Sequence, residues 1–122
     1  MRVAVVGSRD YPDLAQVGRY IRALPRGTVV VSGGARGVDS RAESAARNAG
    51  LVTDIYLADW DLHGKKAGYV RNMLLVDACD KLVAFWDGTS RGTKHAIELA
   101  RSAGKRVVVF EPSTRGGGGE KH

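Results

Sequence analysis

The sequence predicts an α/β protein built on one mainly parallel sheet of about five strands, with helices on both faces. Short apolar segments alternate with longer segments of helical periodicity from the first residues to about position 110. The apolar segments are nearly continuous, as is typical of strands that are covered on both faces. The chain has 122 residues, which is enough for one domain with its own core and too few for two.

Five segments are predicted to be strands because they are short, apolar and bounded by turn-forming residues. The first two precede glycine-rich loops directly, and the third alternates less cleanly than the others. The five predicted strands are Val3–Val6, Thr28–Val31, Leu51–Leu57, Lys81–Trp86 and Val107–Phe110.

Four segments carry apolar residues at helical spacing, with a proline or glycine after three of them to end the helix. Ser40 and Glu43 have the spacing of a capping box at the start of the second predicted helix. Residues 58–68 are predicted to be the longest loop. The four predicted helices are Leu14–Leu24, Asp39–Arg47, about Tyr69–Asp77 and Ala96–Ala103.

Composition limits the function classes. The formal net charge of +6 favours anionic partners without choosing between a nucleotide and a nucleic acid. No stretch reaches the roughly 20 apolar residues of a membrane span and no signal segment opens the chain, so a cytoplasmic location is expected. The single Cys79 is expected to be a buried core thiol, and His63 and His95 to be solvent-exposed, with no metal or cofactor implied.

The segment Ser32–Asp39 is the strongest functional signal, because it has three glycines and an arginine between a strand and a helix. Such a turn points backbone N–H groups outward at the positive end of a helix dipole, which suits a phosphate or carboxylate. Glycines there leave room for a ligand, and Arg36 can add a charge-assisted hydrogen bond. The alternative is that the glycines only form a tight strand-to-helix turn.

Two further loops rich in glycine follow predicted strands, at Gly7–Asp13 and at Asp87–Thr93. Since the carboxyl ends of parallel strands lie at one edge of the sheet, all three loops are expected to share that edge and form one pocket.

These landmarks resemble a known family. Gly7-Ser8-Arg9, Ser32–Asp39, Ala67-Gly68 before Arg71-Asn72, Trp86-Asp87-Gly88 and Gly92-Thr93 are similar to the YspA-like branch of the SLOG superfamily, which also holds DprA and the LOG-type phosphoribohydrolases. The resemblance covers about residues 2 to 110. It implies a Rossmann-like domain, at 1–111, that binds a nucleotide or nucleotide-derived ligand. Composition, with four consecutive glycines at 116–119, separately predicts a flexible glycine-rich tail at 112–122.

The chain departs from the LOG-type pattern at the position of the glutamate that takes part in cleaving the N-glycosidic bond. LOG-type enzymes have a glutamate three places after the Gly-Thr pair, where this sequence has Ala96, and Glu98 lies five places after Thr93. On a helix these two positions point in different directions.

The candidate binding residues come from the four motif regions and from one aromatic residue in the longest loop. Each of four candidates also has a purely structural interpretation. Arg71 and Asn72 can be a solvated pair on a helix surface, Asp39 can cap a helix, and Trp60 can cover the core under its loop. The candidates are Gly7, Ser8, Arg9, Ser32, Gly33, Gly34, Ala35, Arg36, Gly37, Asp39, Trp60, Arg71, Asn72, Asp87, Gly88, Gly92 and Thr93.

Three functions remain open from the sequence. The first is a module or sensor that binds a nucleotide-like small molecule. The second is a hydrolase of nucleotide N-glycosidic bonds, with Asp39, Asp87 and Glu98 as the available carboxylates. The third, by analogy with DprA, is single-stranded DNA binding. A homo-oligomer, paired through sheet edges or helix faces, is also compatible with the sequence.

Overall fold

A single sheet of five parallel strands forms the centre of the computed structural model, which describes residues 1–112. The strands are β1 (Arg2–Gly7), β2 (Val29–Ser32), β3 (Val52–Ile55), β4 (Lys81–Phe85) and β5 (Arg106–Phe110). Their order in the sheet is β3-β2-β1-β4-β5, and every neighbouring pair is parallel. The predicted α/β fold with a parallel sheet is therefore confirmed.

Helices cover both faces of the sheet. They are α1 (Leu14–Arg22), α2 (Val38–Asn48), α3 (Trp60–His63), α4 (Ala67–Ala78) and α5 (Arg91–Ser102), with a 3₁₀ turn at Gly64–Lys66. Helices α1 and α2 pack on one face, against residues such as Val5 and Phe85, whereas α4 and α5 pack on the other, against Val6 and Leu82. Successive strand residues thus supply the two cores in alternation.

The predicted loop at residues 58–68 is wrong in part, because it contains α3 and the 3₁₀ turn that leads into α4. The carboxylate of Asp59 accepts a hydrogen bond from the amide of Leu62 at 3.0 Å and so begins α3. The third strand is shorter than predicted, and Trp86 lies just beyond β4 instead of inside it.

The predicted capping box of Ser40 and Glu43 is also wrong. Helix α2 begins after Gly37, which offers no side chain for a cap. Glu43 instead accepts a hydrogen bond from the hydroxyl of Ser32 at 2.6 Å, and so fastens the helix to the end of β2.

The order in which strands are added to the sheet reverses between β1 and β4. From β1 the chain builds outward through β2 to β3, then crosses back to place β4 on the other side of β1. The loops after β1 and β4 therefore diverge and leave a crevice at the carboxyl edge, the usual ligand position in open α/β sheets.

Two further observations concern the described residues 1–112. None of their helices is long and apolar enough to cross a membrane. Cys79 is buried as predicted, and its thiol donates to the carbonyl oxygen of Val76 at 3.3 Å. The predicted tail lies beyond the described residues except for Pro112.

Candidate functional site

A cavity of about 530 Å³ opens at the carboxyl ends of β1 and β4. Ser8 joins the two strands there: its amide donates to the carbonyl oxygen of Phe85, and its hydroxyl accepts from the amide of Asp87, both at 3.2 Å. Because Ser8 is buried, these bonds fix the floor of the cavity between the two loops.

The cavity brings together candidate residues from every predicted loop. Eleven of the seventeen candidates line it: Gly7, Ser8, Arg9, Ala35, Asp39, Trp60, Arg71, Asn72, Asp87, Gly92 and Thr93. The other six candidates do not line it: Ser32, Gly33, Gly34, Arg36, Gly37 and Gly88.

Asp39 closes the loop between β2 and α2 from inside. Its carboxylate accepts a hydrogen bond from the amide of Ala35 at 3.1 Å, and only 5% of the residue is exposed. Burial raises the pKa of Asp39 to about 7, against the lowering effects of the Ala35 amide and of the Arg71 charge. A loop amide predicted to receive an external anion is therefore bonded to a carboxyl group of the chain itself.

Arg71 fastens the same loop from the side of α4. Its Nη1 donates to the carbonyl oxygen of Gly33 at 2.8 Å, and its Nε donates to Oδ1 of Asn72 at 3.1 Å. A Cβ at Gly33 would lie 2.7 Å from that Nη1, so Gly33 makes room for the arginine. Arg71 is thus held in one orientation along the wall of the cavity.

Gly37 lets the loops after β1 and β2 touch. It has a φ of +78°, and an added Cβ would overlap the carbonyl oxygen of Arg9. A Cβ at Gly34 would likewise overlap the side chain of Leu57. The structure therefore corrects the expectation that Gly33, Gly34 and Gly37 leave space for a ligand, because all three spaces are occupied by the chain.

The loop between β4 and α5 is built differently. Oδ1 of Asp87 accepts from the amides of Thr89 and Ser90, both at 2.9 Å, and these bonds lower the pKa of Asp87. The hydroxyl of Ser90 then caps α5 by accepting from the amide of Thr93 at 3.4 Å. A Cβ at Gly92 would meet no atom within 4 Å, so this side of the cavity is open.

Asn72 links α4 to α5 beneath the cavity. Its Nδ2 donates to the carbonyl oxygen of Gly92 at 3.1 Å and lies 3.2 Å from Nδ1 of His95. His95 is half-buried, contrary to the predicted exposure, and its ring lies 4.5 Å from that of Tyr69. Burial lowers the pKa of His95. His63 is half-buried as well.

Several cavity residues were missed by the sequence analysis, among them Lys65 and Tyr69. The sequence did contain a signal for ordered structure before α4, because Asp59 lies three residues before Leu62 and can cap a short helix there. Ser90 was also missed, although a serine just before a helix is a common cap.

Cationic and aromatic side chains share this cavity. Arg9, Lys65 and Arg71 line it, as do Trp60 and Tyr69, which are 55% and 47% exposed. Phosphates suit the cations, and the flat faces of nucleobases suit the aromatic rings. Asp10, Asp39 and Asp87 also line it, so the cavity is mixed in charge.

The fold is similar to that of DNA processing protein A (DprA). The chain superposes on DprA from Streptococcus pneumoniae with a TM-score of 0.80 and 24% identity, over 93% of this chain and 50% of the other. For DprA from Helicobacter pylori, described for its single-stranded DNA binding mode, the TM-score is 0.70 at 22% identity, over 94% of this chain and 66% of the other. The chain thus spans about half the length of the first of these proteins, and the likeness shows the fold.

Sequence comparison gives the family. The Gene 61 protein of Mycobacterium phage D29 is 40% identical over an alignment of 119 residues that covers 89% of this chain and 95% of that protein. Residues 1–63 match the family described as the YspA, cpYpsA-related SLOG family. This match covers the strands and loops that carry Gly7-Ser8-Arg9 and Ser32–Asp39, and the chain accordingly belongs to the YspA, cpYpsA-related SLOG family.

Proposed function

We propose that the protein binds a nucleotide or nucleotide-derived small molecule in the cavity between β1 and β4, as a binding module or sensor. The observation that carries the proposal is that cationic and exposed aromatic side chains line the same cavity at the reversal of strand order. A volume of about 530 Å³ falls within the usual range for small-molecule sites.

Each end of such a ligand has partners in the cavity. Arg9 and Lys65 are exposed side chains that can form charge-assisted hydrogen bonds with phosphate oxygens. Trp60 can stack on a base, an interaction that contributes about 1–3 kcal/mol. Gly92, with open space beside it, lets a ligand approach the first turn of α5.

The carboxylates favour binding over hydrolysis. Asp39 is buried and bonded to the Ala35 amide, and Asp87 is engaged by two loop amides. Glu98 is exposed on α5 and is not among the residues lining the cavity. General acid or base catalysis needs a carboxyl group that is free to act within reach of the reacting bond, whereas Asp39 and Asp87 are both bonded to backbone amides.

The test is calorimetric titration with a panel of nucleoside mono- and diphosphates and ADP-ribose. We expect at least one ligand to bind the wild type, and Arg9→Ala/Lys65→Ala to weaken that binding by tenfold or more, since hydrogen bonds to charged groups contribute about 1.5–3 kcal/mol. Arg26→Ala is the matched control, because Arg26 lies before β2 at the opposite edge of the sheet.

No binding across the panel at millimolar ligand would reject the proposal. If chromatography detected free base released from any of these nucleotides, the hydrolase would replace the binding module as the proposed function.

Single-stranded DNA is a second candidate, favoured by a groove beside the cavity. This groove, of about 520 Å³, runs between α1 and α2 and is lined by Arg22, Arg41 and Gly37. Nη1 of Arg22 and Nη1 of Arg41 lie 3.1 Å and 3.9 Å from the place of a Cβ on Gly18, so the two charges converge on one spot. Gly37 in turn packs against the backbone of Arg9, a residue that lines the cavity, so the groove and the cavity lie on either side of this contact.

Fluorescence anisotropy with labelled oligothymidylate distinguishes the two candidates. DNA binding would weaken steeply as salt rises, because phosphate contacts release counterions. Arg22→Ala/Arg41→Ala would then reduce DNA affinity and leave small nucleotides unaffected. Salt-independent or absent binding would remove the DNA candidate.

A further inference from the structure

The outward face of α4 is apolar, unlike the outward faces of the other long helices. Met73 and Leu74 are 55% and 52% exposed, and Tyr69 and the half-buried Val70 lie beside them. The buried side of the same helix is formed by Asn72, Leu75 and Val76. Asp77 is the one charged residue on the outward face within α4.

Helices α2 and α5 show the ordinary arrangement. Their exposed positions are polar or charged, such as Arg41 and Arg47 on α2 and Lys94 and Glu98 on α5. A helix with an apolar surface on both sides is normally buried on both sides. Contiguous exposed apolar residues on a water-soluble surface mark a site of association.

We propose that this face, formed by Lys66, Tyr69, Val70, Met73, Leu74 and Asp77, binds the same face of a second copy of the chain, with the two α4 helices antiparallel across a two-fold axis. The proposal does not rest on the proposed function, although Tyr69 also lines the cavity. It commits to a second copy because the pattern of the face is self-complementary.

The self-complementarity follows from spacing. In a two-fold pair, each residue faces a partner placed symmetrically about the axis, and the reverse contact forms at the same time. An axis between positions 71 and 72 places Lys66 opposite Asp77, Tyr69 opposite Leu74 and Val70 opposite Met73 of the other copy. Both apolar pairs and both opposite-charge pairs are therefore satisfied by one arrangement.

Charge supports the choice of partner. The chain carries a net charge of +6, so two copies repel each other over most of their surfaces. The α4 face carries one cation and one anion, Lys66 and Asp77, and is therefore neutral. Lys66 is exposed and lies one residue before α4, next to Lys65 of the cavity wall.

The experiment is sedimentation equilibrium of the full chain over a range of concentrations. We expect a monomer–dimer equilibrium for the wild type. Met73→Glu should raise the dimer dissociation constant at least about tenfold, because it places two like charges in an apolar contact. Met73 is exposed, so the variant should unfold at the temperature of the wild type. Val52→Glu, which changes an exposed apolar residue of the edge strand β3, should leave the dimer unchanged.

A charge exchange tests the antiparallel arrangement itself. Lys66→Asp and Asp77→Lys should each weaken the dimer about fivefold, since two exposed ion pairs are replaced by like-charge contacts. The double variant should restore the wild-type constant. A monomer at all concentrations, a dimer broken by Val52→Glu and not by Met73→Glu, or a double variant weaker than both single variants would each overturn the proposal.

Discussion

Two glycine-rich loops at the same edge of the sheet use glycine for opposite purposes. In the loop between β2 and α2, the space beside Gly33 holds the Arg71 side chain, and the space beside Gly37 holds the backbone of Arg9. At the loop between β4 and α5, a Cβ at Gly88, or at Gly92 in the first turn of α5, would meet no atom within 4 Å. The first loop is packed, and the second is open.

The difference shows that glycine content alone does not locate a binding loop. The β2–α2 loop has more glycines and was the stronger sequence signal, yet its Ala35 amide is bonded to Asp39. The β4–α5 loop satisfies its amides with Asp87 and Ser90 and leaves its glycines beside open space. Its fixed shape is suited to meeting a ligand without rearrangement.

The largest expected effect is on the pH dependence of stability, and it comes from Asp39, whose carboxyl group closes the β2–α2 loop. The folded-state pKa of Asp39 is about 7, and the ordinary value is 3.8. Between these pH values the folded state holds a proton that the unfolded state has lost. The stability contributed by the protonated carboxyl is therefore complete below about pH 4 and is lost as pH rises to 7, at about 1.4 kcal/mol per pH unit or roughly 4 kcal/mol in all.

Urea unfolding of the wild type and of Asp39→Asn from pH 4 to pH 8 measures this effect. The uncharged amide keeps an oxygen for the Ala35 N–H and does not titrate, so the variant should gain stability relative to the wild type as pH rises. Arg71 and Glu43, the charged groups that also act on Asp39, stay unchanged. A constant difference between the two proteins over this range would show that Asp39 does not carry the buried proton.

The second prediction compares one glycine in each loop, both with a positive φ of similar size. Gly37 has a φ of +78° and Gly88 has a φ of +88°, so an alanine is strained at both. At Gly37 the added Cβ also overlaps the Arg9 carbonyl oxygen, a backbone atom. We expect Gly37→Ala to reduce the free energy of unfolding by about 3 kcal/mol or more, and Gly88→Ala by about 1 kcal/mol. Equal losses in denaturant unfolding would mean that the β2–α2 loop is not packed as described.

Local patterns in the sequence predict the strands of this fold, whereas contacts between distant residues decide how its loops are built. The five strands, their parallel arrangement and the shared edge were predictable because apolar segments and strand–helix alternation are local patterns. The reason for a glycine at position 33 was not predictable, because it depends on contact with Arg71, which is 38 positions away in the sequence. The capping box failed for a similar reason, since Glu43 bonds to Ser32 across the end of the sheet and not to its own helix start.

The third prediction uses the open loop. Gly92 lies in the first turn of α5, where alanine is a better helix former by about 0.5–1 kcal/mol. Gly92→Ala should therefore stabilise the protein slightly while its methyl group, directed to open space at the cavity, weakens the ligand of the proposed function about tenfold. Gly18→Ala, in α1 on the other face of the sheet, is a control that should leave affinity unchanged. Unaltered affinity in Gly92→Ala would place the ligand away from the start of α5.

The smallest expected effect is the change in ligand affinity on substitution of Arg36, which tests whether the β2–α2 loop or the loop after β1 binds the anion. Arg36 and Arg9 are both exposed arginines on loops at the carboxyl edge, but of the two only Arg9 lines the cavity. Their alanine variants carry the same net charge, so any difference in ligand affinity reflects position and not the overall field of the protein. We expect Arg36→Ala to change the affinity less than about twofold and Arg9→Ala to reduce it about tenfold, the loss expected of one charge-assisted hydrogen bond. Titration calorimetry at fixed salt measures both. A larger loss of affinity for Arg36→Ala than for Arg9→Ala would place the phosphate of the ligand at the β2–α2 loop. Arg36 would then contact the phosphate, although the Ala35 amide of that loop is bonded to Asp39.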